Sequence, residues 1–583
     1  MYQDNTVSTL NPRCVPLPAD VDILVVGSGA AGLAAAITAA DRGLRVLLAE
    51  KAPLFGGTTA ISGGWLWVPH NPVVTSAGMS ETDDAPQNYL RAVLGEQYDA
   101  RKIERYLRAA PQMSAFFMQR TAVRFLPGSA VPDFYGHLPD AAKGGRSMVA
   151  APYDGKALGP LLSKLRQPIP ETTFLGMGIA SGMELYHFLH STRKTRSFFY
   201  VFRRVIGHLK DLALHGRAMR LVNGNALAAR LLRSAIDKGV MLQENLEAQR
   251  LILENGRVVG AVLGTPQETY ELAVKHAVIL AGGGFPHDAL RQQAQFRHVK
   301  SGGTPHASAA PSENNGGGLR LGEQAGGHVR DDLADAGAWA PVSLAPRRDG
   351  TVGRFPHLID RAKPGLIAVL ANGNRFVNEA GPYHDFMRGL FQAIPPEQPV
   401  RAWLICDTLF LKRYGLGAVK PFPVPKTFHL RTNYLKRGKT IKDLGKQCGI
   451  DSAALEQTIS LYNQDAILGK DPAFDRGSSL FQRVNGDPDV GPNPCLAPIS
   501  KAPFYAVEIV PGSLGTFAGL ETNEHAQLLN ADAQPIPGLF AVGNDMSSIM
   551  GGHYPSGGIT LGPAMTFGWI AANFIADHKD SEA

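Results

Sequence analysis

Apolar residues gather in short, nearly continuous runs at both ends of the chain, and most of these runs stop at glycine. Residues 21–26 (VDILVV) form a β-branched run of the kind expected for a parallel strand buried on both faces. The run leads directly into Gly27-x-Gly29-x-x-Gly32, and small apolar residues continue to Ala40 as a helix that Gly43 is placed to end. A second strand over residues 45–49 stops at Glu50. Further on, residues 226–238 have a helical period. Residues 250–263 read as a hairpin around Asn255-Gly256, a pair that favours the two-residue I′ turn. Residues 274–280 are an apolar strand ending in Ala281-Gly282-Gly283-Gly284-Phe285. Near the C-terminus, residues 538–545 form a strand that ends in a polar turn. A glycine-rich loop follows over 551–558, then an apolar helix over about 563–575.

These runs predict an α/β chain in which one Rossmann-like nucleotide-binding domain draws on both ends, residues 1–289 and 491–583. A substrate or cap domain of α+β type fills residues 290–490, and a helical excursion occupies about 155–220. No internal repeat is visible. The first strand, turn, helix and second strand place an acid about 20 residues beyond the glycines, as a dinucleotide site requires. Gly27 permits the tight turn, Gly29 lets the backbone approach a pyrophosphate, and Gly32 lets helix and strand pack. The helix N-terminus offers N–H groups to phosphate, and Glu50 would accept from ribose hydroxyls. The competing reading is a glycine-rich turn in some other α/β fold.

Composition narrows the classes. The chain has 583 residues, 44% of them apolar and 19% charged, so it can build a large core and is not a disordered polymer. A net charge of +7 over this length does not point to nucleic acid. Cys14, Cys406, Cys448 and Cys495 are far apart and form no metal-type cluster, so neither a disulfide scaffold nor a metal site is expected. The first 20 residues lack the pattern of a secretory signal, and no apolar stretch is long enough to span a membrane. A cytoplasmic protein, or one lying peripherally on a membrane, is expected.

The glycine motifs, with Phe55-Gly56-Gly57-Thr58-Thr59-Ala60-Ile61-Ser62-Gly63-Gly64 and Gly538-Leu539-Phe540-Ala541-Val542-Gly543-Asn544, resemble the flavoproteins of the fumarate reductase/succinate dehydrogenase class. Pro132-Asp133-Phe134-Tyr135, Gly145-Arg146-Ser147, the run from Arg375 to Tyr383, and the run from Tyr554 to Gly568 are similar to 3-ketosteroid Δ1-dehydrogenases within it. Phe474-Asp475-Arg476-Gly477 and Gly486-Asp487-Pro488 agree more weakly. The resemblance covers essentially the whole chain. It implies FAD, bound by Gly27, Gly29, Ala30, Ala31, Gly32, Glu50, Lys51, Gly57, Thr58, Thr59, Ser62, Gly63, Gly64, Ala281, Gly282, Gly543, Asn544, Gly558, Thr560 and Leu561. The cofactor is expected to be non-covalent, because residues 56–64 hold no histidine or cysteine to tether it.

The resemblance also implies a reaction: a cyclic ketone loses an α-proton to a tyrosine and a β-hydride to flavin N5. Carried onto this chain, Tyr554 and the Gly558 N–H hold the carbonyl oxygen, Tyr383 is the base, and Tyr135 assists it by hydrogen bonding. Donors aimed at the oxygen where charge develops would favour the transition state. Each tyrosine also has the plainer reading of a packing residue, since the chain holds 15 of them. The family often has two tyrosines where this chain has Phe134-Tyr135. His553 before Tyr554 and the flexible Gly551-Gly552 also depart from its pattern. His553 reads more simply as a surface or supporting residue, and His306 and His384 have no motif behind them.

Two other functions compete with ketone desaturation. One is an ene-reductase of fumarate-reductase type, which would need an arginine clamp for carboxylates. Arg375 and Arg388 are among the candidates, although no motif marks either. The other is a flavin-binding protein that has lost catalysis. Electrons are expected to leave to a quinone-like or artificial acceptor rather than come from nicotinamides, because residues 281–285 and 316–318 lack the G-x-G-x-x-G spacing of a second dinucleotide unit. Residues 190–220 combine Phe198-Phe199-Tyr200-Val201-Phe202 with eight basic residues against one acid, Asp211. That composition suits an interfacial helix, but reads more simply as a solvated basic helix with its aromatic face on the core.

Overall fold

Val21, Ile23, Leu24 and Val25 expose no surface, which is why the first apolar run becomes β1 (Asp20–Val26) at the centre of a sheet. The computed structural model describes residues 17–301 and 303–579, so Cys14 and most of the N-terminal stretch assessed for a signal lie outside the described residues. α1 (Ala30–Asp41) follows and is buried from Ala30 to Ala39. Small side chains allow that depth: a Cβ on Gly568 in the last helix would stand 2.5 Å from the Ala31 carbonyl oxygen. The chain turns at Gly43, where φ is +85°, and β2 (Val46–Glu50) pairs parallel to β1.

The excursion is helical, with α2 (Met183–His190) and α3 (Thr195–His215) packed as a pair. α4 (Asn223–Asp237) then leads to β3 (Met241–Glu244), parallel to β2. β4 (Glu247–Glu254) and β5 (Arg257–Gly264) form the expected hairpin, and φ is +48° at Asn255 and +79° at Gly256, as a I′ turn requires. β6 (Thr269–Leu280) shows how its sequence was written for two neighbourhoods. Its first half alternates buried and exposed beside β5, while its second half is continuously buried beside β1.

The chain then builds a second, antiparallel sheet. Its strands are β7 (Gly337–Pro346), β8 (Val352–Pro356), β9 (Leu366–Val369), β10 (Ala402–Cys406), β11 (Lys436–Gly438) and β12 (Phe504–Thr516), in the order β8-β7-β12-β10-β9 with β11 also on β12. α5 (Tyr383–Ala393) packs on β7. β12 lies beyond the boundary expected at residue 490. As the central strand, flanked by β7 and β10, it belongs to the cap sheet. The chain returns through β13 (Gln527–Leu529) and β14 (Pro535–Ala541), and β14 pairs parallel to β6. The first sheet is thus completed from both ends of the chain, in the order β13-β14-β6-β1-β2-β3. α6 (Leu561–His578) starts two residues before Pro563, which sits in the first turn, where its missing N–H costs nothing.

Three features bear on function. No helix among the described residues is long and apolar enough to cross a membrane. Only Ser197 and His208 of α3 are buried, and Phe198, Phe199, Phe202, Ile206, Leu209 and Leu214 all face outward, Phe199 being 63% exposed. The reading of α3 with its aromatic face on the core is therefore corrected: the basic Arg204 turns back to Glu184 while the phenylalanines face out. Finally, the cap holds a buried ionic cluster ahead of α5. Glu379 accepts from Arg375 Nε at 2.7 Å, Arg476 Nη1 at 3.0 Å and the Ala368 N–H at 3.1 Å, and Arg375 also binds Asp471.

Candidate active site

One cavity of about 1980 Å³ runs between the two sheets. That is about twice the roughly 1,000 Å³ upper range of a single-ligand pocket. Every expected cofactor position lines it except Gly32. Gly32 is used for packing instead: a Cβ there would lie 2.0 Å from the Gly27 carbonyl oxygen. Gly27 itself, at φ +109°, lies against Ala281, whose carbonyl oxygen would be 2.3 Å from a Cβ. Gly29 differs, because a Cβ there would meet only Thr59 Oγ1 at 3.8 Å and otherwise open space. α1 has no side-chain cap and no acid in its first turn, which suits a phosphate at its N-terminus. Glu50 stands at the tip of β2, its Oε2 accepting from the Ser28 N–H at 3.0 Å and its Oε1 from the Ala52 N–H at 2.9 Å.

Residues not foreseen complete this cradle. The buried carboxylate of Asp545 accepts from the N–H groups of Gly282 at 2.5 Å and Gly284 at 2.8 Å, fixing the loop after β6. Burial pushes its carboxyl up, against these hydrogen bonds and Lys51. Asn314 donates to Thr58 Oγ1 at 2.9 Å, and Lys51 to Asn315 Oδ1 at 2.6 Å. Asp545 could have been found as a carboxylate closing an apolar strand, whereas Asn314 and Asn315 carry no sequence signal. The residues present fit a bound dinucleotide: glycines where its backbone must pass, a bare helix N-terminus and an acid for a ribose.

Of the tyrosines that line the cavity, Tyr383 and Tyr554 stand against each other. Tyr554 is 3% exposed and Tyr383 8%, and their rings meet edge to face with centroids 4.9 Å apart. Tyr383 is the first residue of α5, at the positive end of that helix. Burial pushes Tyr383 well above the ordinary phenol range, and Tyr554 raises it further, while the nearby Arg361 guanidinium pulls it down. Burial also raises Tyr554, but hydrogen bonding with Tyr383 and Thr560 lowers it. Gly558 lies at φ +101°, and a Cβ there would sit 2.6 Å from the Trp67 nitrogen. Only glycine fits.

Tyr135 departs from expectation. Its hydroxyl donates to Asp385 Oδ1 at 3.0 Å and not to Tyr383, and the residue does not line the cavity. Phe134 takes the adjacent place, 5.6 Å from the Tyr383 ring and stacked on Tyr554 at 5.8 Å. The two neighbours leave an irregular segment in different directions, and the Phe134 N–H is anchored to the Pro555 carbonyl at 3.0 Å. The expected direct bond from Tyr135 to the base is thus replaced by an apolar ring. His553 does not line the cavity, His306 bonds His298 and Ser513, and His384 bonds Asp335 and Trp339. His190, Asp487 and Asp489 could together reach a cation. Arg193 and Lys194 already pair with those carboxylates, so the cluster is an ion-pair network.

The FAD binding domain family model matches residues 22–561. The chain belongs to this family. It is 38% identical over 557 residues to 4-oxocyclohex-2-ene-1-carboxylate 5-dehydrogenase of Sinomonas cyclohexanicum, covering 95% of this chain and 93% of the relative. It is 33% identical to 3-oxosteroid 1-dehydrogenase of Mycolicibacterium smegmatis, covering 96% and 97%. Among solved structures, 3-ketosteroid delta1-dehydrogenase from Sterolibacterium denitrificans in complex with 1,4-androstadiene-3,17-dione superposes with a TM-score of 0.88 at 34% identity, covering 96% of this chain and 100% of that one. The FAD-binding protein is accordingly an oxidoreductase of the kind that desaturates cyclic ketones.

The two glycine environments make a discriminating prediction. Gly29→Ala fits its backbone and clashes with nothing in the protein, so the variant should melt, without cofactor, within about 0.5 kcal/mol of the wild type. Its methyl group intrudes into the cradle, and FAD retention, read from visible absorbance per chain, should fall at least tenfold. Gly27→Ala should instead destabilise the fold itself. Equal flavin content in Gly29→Ala and wild type would contradict this placement of the pyrophosphate.

Proposed function

We propose that the protein desaturates a lipophilic cyclic ketone, a 3-ketosteroid being the kind its relatives best support. FAD, untethered, would accept the hydride that leaves the β-carbon. The observation that carries this reading is the pair of buried phenols in the same cavity as the glycine cradle. Tyr554 donates its hydroxyl proton to the ketone oxygen, and the Gly558 N–H is the second donor. Polarised there, the ketone gives up its α-proton to the Tyr383 oxygen and becomes an enolate, whose electrons then form the new C=C as the β-hydride departs and the carbonyl is restored. Phe134 and the surrounding apolar wall exclude water from the developing enolate. Tyr135, through Asp385, supports the region from outside the cavity.

Other observations support the finer parts. The loop over 56–64 faces the cavity without a histidine or cysteine, in keeping with a non-covalent flavin. The two further glycine clusters, at 281–285 and 316–318, also contribute to this cavity, which leaves neither for a nicotinamide and favours a quinone-like acceptor. Phe198, Phe199 and Phe202 of α3 line the cavity while facing outward, as a membrane-lying entrance for a lipophilic substrate would. The ene-reductase reading finds no clamp in its named arginines: Arg375 is held by Glu379 and Asp471, Arg388 by Asp335, and neither lines the cavity.

Tyr554→Phe should slow desaturation by roughly 10²–10³-fold with flavin content unchanged. Tyr383→Phe should be at least as severe, and Tyr135→Phe mild. Because burial raises the Tyr383 phenol, its ionised form grows with alkalinity over the whole accessible range. The wild-type kcat/KM should therefore climb with pH and show no plateau near neutrality, and Tyr383→Phe should lose that climb. Wild-type flavin reduction rates in Tyr383→Phe would overturn the assignment of the base. For α3, wild-type protein should co-sediment with anionic phosphatidylglycerol vesicles, and Phe198→Ser/Phe199→Ser should not. Equal sedimentation of the two removes the membrane contact.

A further inference from the structure

Three residues that line the cavity each carry a buried polar atom with no partner among the described residues: Asn225 Oδ1, Arg166 Nε and Glu313 Oε2. Native proteins leave few such atoms unpaired, because the lost hydration is not repaid. The three residues are directly connected. Asn225, 2% exposed, donates through Nδ2 to the Ala60 carbonyl oxygen at 3.2 Å and to that of Arg166 at 2.7 Å. Both carbonyl partners require the amide nitrogen, so the remaining Asn225 atom is an oxygen that can only accept. Arg166 Nη2 then stands 3.2 Å from Glu313 Oε1.

The same trio is fastened to the flavin cradle. The Arg166 N–H donates to the Phe55 carbonyl oxygen at 3.0 Å. Ala60 lies in the short helix Gly57–Ile61, on which α4 packs. Directly after Glu313, Asn314 donates to Thr58 Oγ1 at 2.9 Å and Asn315 accepts from Lys51 Nζ at 2.6 Å. Burial would raise the Glu313 carboxyl, but its own backbone N–H, Arg166 and Lys51 hold it below the usual carboxylate range. Glu313 is therefore an ionised acceptor. Segments near residues 58, 166, 225 and 313 thus meet at one place on the cavity wall.

The trio offers two acceptors beside one donor on a guanidinium. Acceptors suit hydroxyl groups, and a guanidinium suits phosphate. FAD has hydroxyls next to phosphate in both of its halves. With Glu50 assigned to the adenosine ribose, the ribityl chain is the polyol left to pair with them. We infer that Asn225, Arg166 and Glu313 form a clasp on the ribityl phosphate of FAD. The inference rests on the reading of that flavin as untethered, since a clasp then decides how long the cofactor stays.

Flavin release from the holoenzyme tests this, followed as the rise in free-flavin fluorescence after dilution. Arg166→Met should release FAD at least tenfold faster than the wild type, and Glu313→Leu should act in the same direction. A second measurement separates the clasp from general damage to the cavity. FMN carries the ribityl phosphate and ADP does not, and each should raise the melting temperature of the cofactor-stripped full-length wild type. Arg166→Met should lose at least half of the FMN shift and keep the ADP shift. Wild-type release rates in both variants overturn the clasp, as does an FMN shift that is absent from the wild type or survives in Arg166→Met. Equal loss of the FMN and ADP shifts overturns it too. Flavin that stays with the acid-precipitated wild-type chain counts instead against the untethered reading.

Discussion

A buried carboxylate, Glu379, holds together the part of the cap from which α5 starts. It lies four residues before Tyr383 and is bound by two guanidinium groups, Arg375 and Arg476, with no exposure to water. Burial alone would raise its carboxyl, but the two arginines hold it below the usual range. Arg476 also reaches the carbonyl oxygens of Arg361 and Lys363 at 2.9 and 3.0 Å. Arg361 in turn binds the carbonyls of Glu379 at 2.6 Å and Gly381 at 3.2 Å. These bonds fix the start of α5, and with it the direction of the Tyr383 ring. Arg361, with Asp360 and Glu379 near it, also brings a guanidinium close enough to the Tyr383 phenol to pull it down. Such a cluster contributes more to geometry than to net stability.

The flavin-side half of the site is held by a second buried pair. Asp133 binds Arg146 at 2.7 Å and accepts from Trp67 Nε1 at 2.9 Å. Around it, Tyr89 donates to the Pro555 carbonyl at 2.6 Å, Ser147 to that of Gly557 at 2.9 Å, and Trp67 N–H to that of Gly558 at 3.0 Å. The loop bearing Tyr554 is thereby pinned at Pro555, Gly557 and Gly558. Two rigid halves, each organised by a buried carboxylate, then bring one phenol each to a shared position.

The apolar runs carried most of this fold in plain view. β1, α1, β2, the hairpin and α6 follow from period, glycine and turn chemistry, because each is decided by neighbours close in sequence. The glycine loops that line the cavity were legible for the same reason, since they lie at strand ends. What was not legible depends on distant partners. Whether Phe134 or Tyr135 faces the cavity is decided by a hydrogen bond to Pro555, some 420 residues away. β12 joins the cap sheet because β7 and β10 cover it, and no local pattern marks that. The outward face of α3 has the amphipathic pattern of a packed helix, and only the fold shows what it faces.

The central claim is that Tyr383 and Tyr554 enolise a ketone before its hydride leaves, and solvent exchange isolates that step. With the flavin chemically reduced under anaerobic conditions, hydride cannot be accepted, and a 3-ketosteroid saturated at the reacting bond can only lose and regain its α-proton. In D₂O the wild type should introduce deuterium at that carbon, Tyr554→Phe should do so far more slowly, and Tyr383→Phe should not do so above the uncatalysed rate. Deuterium uptake by Tyr383→Phe at the wild-type rate would contradict the account.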